Sequence, residues 1–194
     1  NIVATVRDWG DPKSYLHDLI STDRRDPTVN AYGKTYGAPE LSTDDLPILD
    51  PMANTDTTFH APVRDENTPT TYSDPIGAAS AYWGEERIWD SKANAHNPMF
   101  DQDGRVWYTA RIRGPDNPNY CREGSDHPSA KLTATTRAGR HLSVYEPETG
   151  EYHFVDICFS THHLMFAEDE NNTLWTSGGG EVIGWLDSAL FMET

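Results

Sequence analysis

The 194-residue sequence has few basic residues and no long hydrophobic run. Only 15 Lys and Arg residues stand against 31 Asp and Glu residues, so the net charge is −16. This charge disfavours binding to nucleic acid or to an anionic membrane through a basic field. No apolar stretch approaches the roughly 18 residues that a membrane span requires. The sequence therefore predicts no nucleic-acid partner and no membrane span.

Cysteine is also scarce, because the chain has only Cys121 and Cys158. Neither belongs to a C-x-x-C pair, which excludes a zinc ribbon or a thioredoxin motif. We expect the two to form one disulfide in an exported protein, secreted or periplasmic, and two unrelated buried thiols are the alternative. The start at Asn1, without Met or a signal peptide, is consistent with a processed protein or an internal segment.

Motifs that bind phosphate or activate a serine are missing as well. The glycine run Ser177–Glu181 has no lysine and no following helix, so it predicts a strand connection. No serine nucleophile elbow is present. Long amphipathic helices are equally hard to find, and the best short candidate is Pro12–Ile20.

What the sequence does contain is typical of a turn-rich β protein. Hydrophobic residues make up 36% and aromatic residues 11%, with 13 Pro and 14 Gly. Short alternating runs are separated by Gly, Pro, Asn and Asp, which favour turns between strands. We therefore predict an all-β fold.

Two kinds of hairpin repeat along the chain. The stretch HNPMF (His96–Phe100) recurs as HHLMF (His162–Phe166), and each continues through an acidic turn into Val-Trp or Leu-Trp. Such turns suit a hairpin because Asp, Asn and Gly tolerate positive φ. A second hairpin at Ile48–Val63 recurs at Val144–Ile157, and Val182–Ser188 looks like the opening of a third copy.

Two hairpins make a four-stranded unit, and radial repetition of such units is a β-propeller. We predict a propeller segment of about two to three four-stranded blades, with residues 1–194 forming part of one domain. Blade boundaries fall near residues 95 and 161, and insertions at 65–95 and 111–140 interrupt the repeat. A propeller needs about four blades to close, so the remaining blades would come from the same or another chain.

At these residues the chain resembles the virginiamycin B (streptogramin) lyase-like propeller family. That family's repeat runs from a histidine through an Asp-Gly turn into a Leu-Trp-Phe-Thr strand. His96, Asp103–Gly104 and Val106–Thr109 match this pattern at the same spacing. Val182–Asp187 and Pro147–Glu151 match the family's outer strand and its Thr-Gly-Glu turn. The resemblance covers roughly half of the chain and implies a propeller, whose usual ligand site is the channel mouth.

The family's lyase opens a macrocyclic ester by elimination, with a histidine base near a magnesium ion that two glutamates hold. One glutamate stands two residues before a repeat histidine, where this chain has Asn94 or Ser160. The other stands three residues after the repeat tryptophan, where this chain has Ala110 or Gly178. The resemblance therefore implies the repeat, while no magnesium-binding carboxylate stands at these positions.

Histidines at the starts of the innermost strands are the main candidates for chemistry. His96, His162 and His163 form a candidate catalytic cluster with a general base, and His96 and His162 are candidate ligands of a divalent zinc, copper or iron ion. Strand alternation predicts that only one of His162 and His163 lies beside His96. Histidines that fix backbone geometry through hydrogen bonds are the alternative. Rings more than about 12 Å apart would exclude a shared metal, since metal–nitrogen bonds are about 2 Å long.

The second insertion supplies further candidates for ligand binding. Arg111, Arg113 and Arg122 are placed to clamp a carboxylate or phosphate, or else to pair with the protein's own acids. His127 beside Asp126 is either a ligand-binding residue or a solvated loop histidine. The other histidines are predicted to lie on the surface: His17, His60, His141 and His153.

Together these features predict an exported propeller that binds or transforms a small organic ligand through histidines and a divalent metal. The alternative is a non-catalytic propeller that serves as a binding or assembly module. The presence of a stoichiometric metal distinguishes the two.

Overall fold

A computed structural model of the chain describes residues 16–70, 89–178 and 180–194. Within these ranges, eleven strands form three antiparallel sheets, and the two α-helices are short. Sheet 1 contains β1 (Asp18–Ile20), β2 (Thr35–Ala38), β3 (Asp45–Asp50) and β4 (Thr55–His60). Sheet 2 contains β5 (His96–Phe100), β6 (Val106–Ala110), β7 (His141–Tyr145) and β8 (Tyr152–Val155). Sheet 3 contains β9 (His163–Phe166), β10 (Leu174–Ser177) and β11 (Ile183–Leu186). The helices are α1 (Pro128–Leu132) and α2 (Ser188–Glu193).

Within each sheet the strands follow chain order, so that every strand pairs with its sequence neighbour. The predicted all-β class is confirmed, and the predicted hairpins correspond to β3–β4, β5–β6, β7–β8 and β9–β10. The propeller itself stays a prediction, because the described residues form three sheets and no closed ring.

The turn between β5 and β6 shows how the sequence forms these hairpins. Oδ1 of the buried Asp101 accepts hydrogen bonds from the backbone amides of Asp103 and Arg105, each at 2.9 Å. Gly104 adopts a φ of +82°, which favours glycine over other residues. The Asp101 carboxylate also accepts a 3.0 Å hydrogen bond from Trp107 Nε1, so the turn is tied to the core.

Sheet 2 lies between the other two sheets and buries both of its faces. Val106 and Tyr108 of β6 pack with sheet 1 residues in one core. Trp107, from the same strand, packs with Leu164 and Leu174 of sheet 3 in a second core. Alternation along β6 therefore builds two cores from one strand, and the three sheets form a stack.

Two elements differ from the prediction. Asp18–Ile20, the end of the predicted helix, forms strand β1, because its residues pair with β2 in register. The rest of that predicted helix lies outside the described residues. The third outer hairpin begins as predicted with β11, but α2 follows it instead of a second strand. Asp187 starts this helix, since its side chain accepts a 2.9 Å hydrogen bond from the Leu190 amide.

The predicted disulfide between Cys121 and Cys158 is present, with the two Cα atoms 5.3 Å apart. It links a 3-10 turn of the insertion, Asn119–Cys121, to the chain that follows β8. No helix in the described part of the chain is long and apolar enough to cross a membrane.

Candidate functional site

The starts of the inner strands bring four histidines together at one edge of the stack. Strand β5 contacts both β1 and β9. The His96 ring centroid lies 4.6 Å from that of His162, 5.5 Å from that of His163 and 5.0 Å from that of His17. The distance between His96 and His162 is far below the limit for shared metal ligation.

The expectation that only one of His162 and His163 lies beside His96 is wrong. Strand β9 begins at His163, so His162 precedes the strand and its side chain does not follow strand alternation. The two rings instead stack with centroids 4.3 Å apart and planes 25° apart. Both imidazoles therefore face His96.

The donor atoms of this cluster are close enough to share an ion. His96, His162 and His163 each offer a ring nitrogen, and these nitrogens lie within 4.8 Å of one another. A second group of His17, Asp18 and His96 meets the same limit, so His96 belongs to both. Two nitrogen ligands of a tetrahedral zinc ion lie about 3.4 Å apart, given bonds of about 2.1 Å. The nitrogens would have to move closer to reach this spacing, and the His162 and His163 side chains are exposed.

His96 is the buried member of the cluster, and its Nε2 atom has no hydrogen-bond partner. The side chain is only 3% exposed, and the Asp18 carboxylate lies 2.5 Å from its Nδ1 atom. The carboxylate faces Nδ1 at contact distance without forming an aligned hydrogen bond. A carboxylate at Nδ1 favours the tautomer that leaves Nε2 free as a ligand atom.

Two pKa shifts describe the charges of the cluster. Burial opposes ionisation of Asp18, but its contacts with His96, His17 and the Asn97 amide prevail and hold its pKa well below the usual range. Desolvation and the neighbouring His163 lower the pKa of His162. This shift favours the neutral form of His162, which is the form that binds a metal or accepts a proton.

The sequence interpretation missed His17 as a member of this cluster. The strand register shows the equivalence, because Ile20 pairs with Tyr36 as Met99 pairs with Trp107 in sheet 2. His17 precedes Ile20 by three residues, as His96 precedes Met99. The signal in the sequence is HDLI (His17–Ile20), which is an earlier copy of the motif that recurs as HNPMF and HHLMF.

Arg113 and Arg122 do not reach the histidine cluster. Arg113 is buried, and its guanidinium binds the Asp156 carboxylate at 2.9 Å and the Asn117 side-chain oxygen at 2.9 Å. Arg122 Nε donates a 2.7 Å hydrogen bond to the Asn117 carbonyl. Both contacts hold the insertion in place, and they match the alternative in which these arginines pair with the protein's own groups.

Arg111 and His127 belong to none of the candidate metal-binding groups in the described residues. Arg111 donates a 3.2 Å hydrogen bond to the Pro69 carbonyl, and burial together with the nearby Arg140 lowers its pKa. The His127 ring accepts a 3.2 Å hydrogen bond from the Ser129 amide, which caps α1. His127 therefore has a structural contact in its loop.

The prediction that His141 lies on the surface is wrong. This residue begins β7 and is fully buried, and neither ring nitrogen has a hydrogen-bond partner. Desolvation, with the charge of Arg113, lowers its pKa to about 3, so the ring is neutral. His60 is exposed as expected, and His153 is half-buried.

The magnesium site that the resemblance implies does not fit these residues. Asn94 stands where the family has a glutamate, and its side-chain oxygen accepts a 2.7 Å hydrogen bond from Arg140. A neutral amide bound to a guanidinium is a poor ligand for magnesium, which prefers carboxylates and water. Ser160 Oγ likewise accepts a 2.8 Å hydrogen bond from the Gly139 amide.

A cleft of about 540 Å³ runs along the inner strands beside the histidines. Its walls include Asp18, Asn97 and Met99, together with His163 and Arg24. This volume falls in the range of small-molecule sites, and the lining combines apolar surface with a few polar groups.

Comparisons of the chain with protein families, with curated proteins and with solved structures gave no match.

Proposed function

We propose that the chain is part of an exported β-propeller that binds a divalent transition-metal ion at His96, His162 and His163. The bound ion would hold a small organic ligand in the adjacent cleft. The observation that carries the proposal is the convergence of three imidazole nitrogens within 4.8 Å of one another. The orphaned Nε2 atom of the buried His96 gives further support, since buried polar atoms normally have partners.

The donor set selects the class of metal. Neutral imidazoles favour zinc, copper and iron, whereas magnesium and calcium prefer oxygen ligands. Asp18 would act on the ion through His96, because the carboxylate orients the ring and raises its basicity. His17 flanks the same pair, with its Nδ1 atom 3.0 Å from Asp18 Oδ2.

Three protein ligands leave a coordination position open, which is the arrangement of catalytic metal sites and not of structural ones. The position would open on the cleft, because His163 belongs to the ligand group and also lines the cleft. A ligand with a carbonyl, carboxylate or amine could then bind the ion directly.

The disulfide supports the proposed export of the protein, and the repeated sheets support the proposed propeller. The Cys121–Cys158 disulfide is typical of an oxidising compartment, which favours a secreted or periplasmic protein. Three stacked sheets, two of them four-stranded meanders, are consistent with propeller blades.

Cobalt titration of metal-free protein tests the proposal. We expect about one cobalt ion per chain, with visible absorption of a tetrahedral or five-coordinate site. Azide added to the cobalt protein should change this spectrum if a position is open. Replacing His162 and His163 by Ala should weaken binding by about 100-fold or more, since four ligands of a structural zinc share about 10–16 kcal/mol.

His60→Ala is the control, because His60 is an exposed histidine beside Asp45 and belongs to none of the candidate metal-binding groups in the described residues. This variant should bind cobalt like the parent chain. Equal binding by the parent and the double variant would overturn the metal site. A metal-free parent chain would favour the non-catalytic module.

A further inference from the structure

The outer face of sheet 3, formed by Met165, Trp175, Ile183 and Trp185, is apolar and exposed. Their exposed fractions are 59%, 42%, 71% and 66%. Trp175 pairs with both Met165 and Trp185, so three of the four form one row across the sheet. Four large apolar side chains on one exposed sheet face are unusual for a protein surface and mark an interaction site.

The strand register identifies the counterparts of these residues in sheet 2. Trp107 pairs with Met99 and Val144, as Trp175 pairs with Met165 and Trp185. Leu142 pairs with Thr109, as Ile183 pairs with Ser177. The sheet 2 counterparts are buried, with exposed fractions of 6% for Met99, 0% for Trp107, 2% for Leu142 and 0% for Val144.

Sheet 3 is what buries the sheet 2 residues. Leu164 and Leu174 of sheet 3 belong to the same core as Met99, Trp107, Leu142 and Val144. The exposed face therefore repeats, position by position, a face that a neighbouring sheet covers. The same arrangement occurs between sheets 1 and 2.

Hydrogen bonds between side chains and backbone amides also link the inner strands of successive sheets. Asp18 Oδ2 accepts a 3.1 Å hydrogen bond from the Asn97 amide of sheet 2. Asn97 Oδ1 in turn accepts a 2.6 Å hydrogen bond from the Leu164 amide of sheet 3. Asp18 and Asn97 each follow the repeat histidine directly, and His163 holds this position in sheet 3. These two hydrogen bonds join successive sheets through their inner strands.

We propose that a fourth sheet of this repeat, carried by the same polypeptide outside these 194 residues, packs on the outer face of sheet 3. Its facing side would present aliphatic residues at the positions of Leu164 and Leu174. A second copy of the chain is disfavoured, because each copy carries a net charge of −16 and like charges repel. The inference rests on packing. Met165, Trp175 and Ile183 also line the cleft beside the histidines, so a fourth sheet would form part of its wall.

Hydroxyl-radical footprinting of the protein, with and without its natural flanking sequence, tests the inference. In the 194-residue chain Met165, Trp175 and Trp185 should react readily. With the flanking sequence present, their modification rates should fall several-fold at every protein concentration. Met52 is the matched control, since it is a 74% exposed methionine on the turn between β3 and β4 and should keep its rate.

A photo-crosslinker in place of Trp175 identifies the occupant. We expect a crosslink within one polypeptide, to a strand beyond the 194 residues, and no such crosslink from Leu132 in the insertion. Unchanged footprinting rates would overturn the inference. Protection that appears only at high concentration, or a crosslink to another copy or to a separate protein, would overturn it as well. Metal binding plays no part in either measurement, so the two proposals fail separately.

Discussion

At the scale of single residues, Asp18 connects the first two sheets through its carboxylate. One oxygen contacts His96, His17 and the Asn97 amide within 3.1 Å. The side chain is 29% exposed, so water screens these contacts only in part. The carboxylate thus stabilises the fold and also contacts the His96 ring.

Asp18→Asn should lower the free energy of unfolding by about 2 kcal/mol at pH 7, because hydrogen bonds to charged groups contribute about 1.5–3 kcal/mol each. The folded-state pKa of Asp18 lies below its ordinary value of 3.8. The stabilisation that the Asp18 carboxylate provides is therefore complete above pH 3.8 and is lost as the pH falls below 3.8 toward the folded-state pKa. Urea unfolding at pH 7 and at low pH measures both effects.

Asp45→Asn is the control for this experiment, since Asp45 pairs with His60 at 2.9 Å on the surface. Exposed pairs contribute at most about 1 kcal/mol, so its effect should be smaller. An Asp18 variant as stable as the parent at pH 7 would contradict the role of this carboxylate.

At the scale of elements, the second insertion is attached to the end of sheet 2 by a covalent and a polar link. The disulfide joins Cys121 to Cys158, and Asn117 Nδ2 donates a 2.7 Å hydrogen bond to the Cys158 carbonyl. Arg113 adds its contact with Asp156 close by. The insertion is thus a packed part of the fold.

Reduction of the disulfide should lower the free energy of unfolding by about 4 kcal/mol, given a loop closed across 37 positions. Urea unfolding with and without a reductant measures the change. No free cysteine is found in the chain, so the reductant acts on this bond alone. Cys121→Ser with Cys158→Ser should reproduce the loss, and equal stability of the oxidised and reduced chains would contradict the expectation.

At the scale of the whole molecule, the stack depends on residues of sheet 2 that contact sheet 3 and α2. Trp107 is fully buried, with ring centroids 6.1 Å from Phe166 and 6.0 Å from Phe191. Such side-chain packing joins the sheets, together with hydrogen bonds such as those from Arg25 to the Ala167 carbonyl and from Arg64 to Asp156. Cooperative unfolding of sheets 2 and 3 follows from this arrangement.

Trp107→Ala should lower the free energy of unfolding by about 3–5 kcal/mol, the range for truncating large aromatic residues in a core. Trp185→Ala should change the stability of the 194-residue chain little, because that side chain is 66% exposed. Thermal or urea unfolding followed by circular dichroism compares the two variants. Similar losses for both would contradict the stacked arrangement.

Much of this arrangement was predictable from local patterns. Alternating runs and turn residues predict the hairpins, and the copies at His96 and His162 predict equivalent strands. The sequence pattern does not predict the β1–β2 copy of this hairpin, because its strands lack the tryptophan and the short acidic turn. The burial of His141 could not be predicted either, since neighbouring residues in the sequence do not show that Arg113 and Asp156 pack around β7.

The sequence by itself determined the all-β class, the hairpins and the cysteine pair, because turn chemistry and strand alternation act over a few residues and the chain has only two cysteines. Only the tertiary structure decided which histidines meet. His17, His96 and His162 are far apart along the chain, and the stacking of sheets 1 to 3 places their strand starts at one edge. It also decided that the outer face of sheet 3 lies exposed, because burial depends on a neighbouring sheet and not on the strand's own residues.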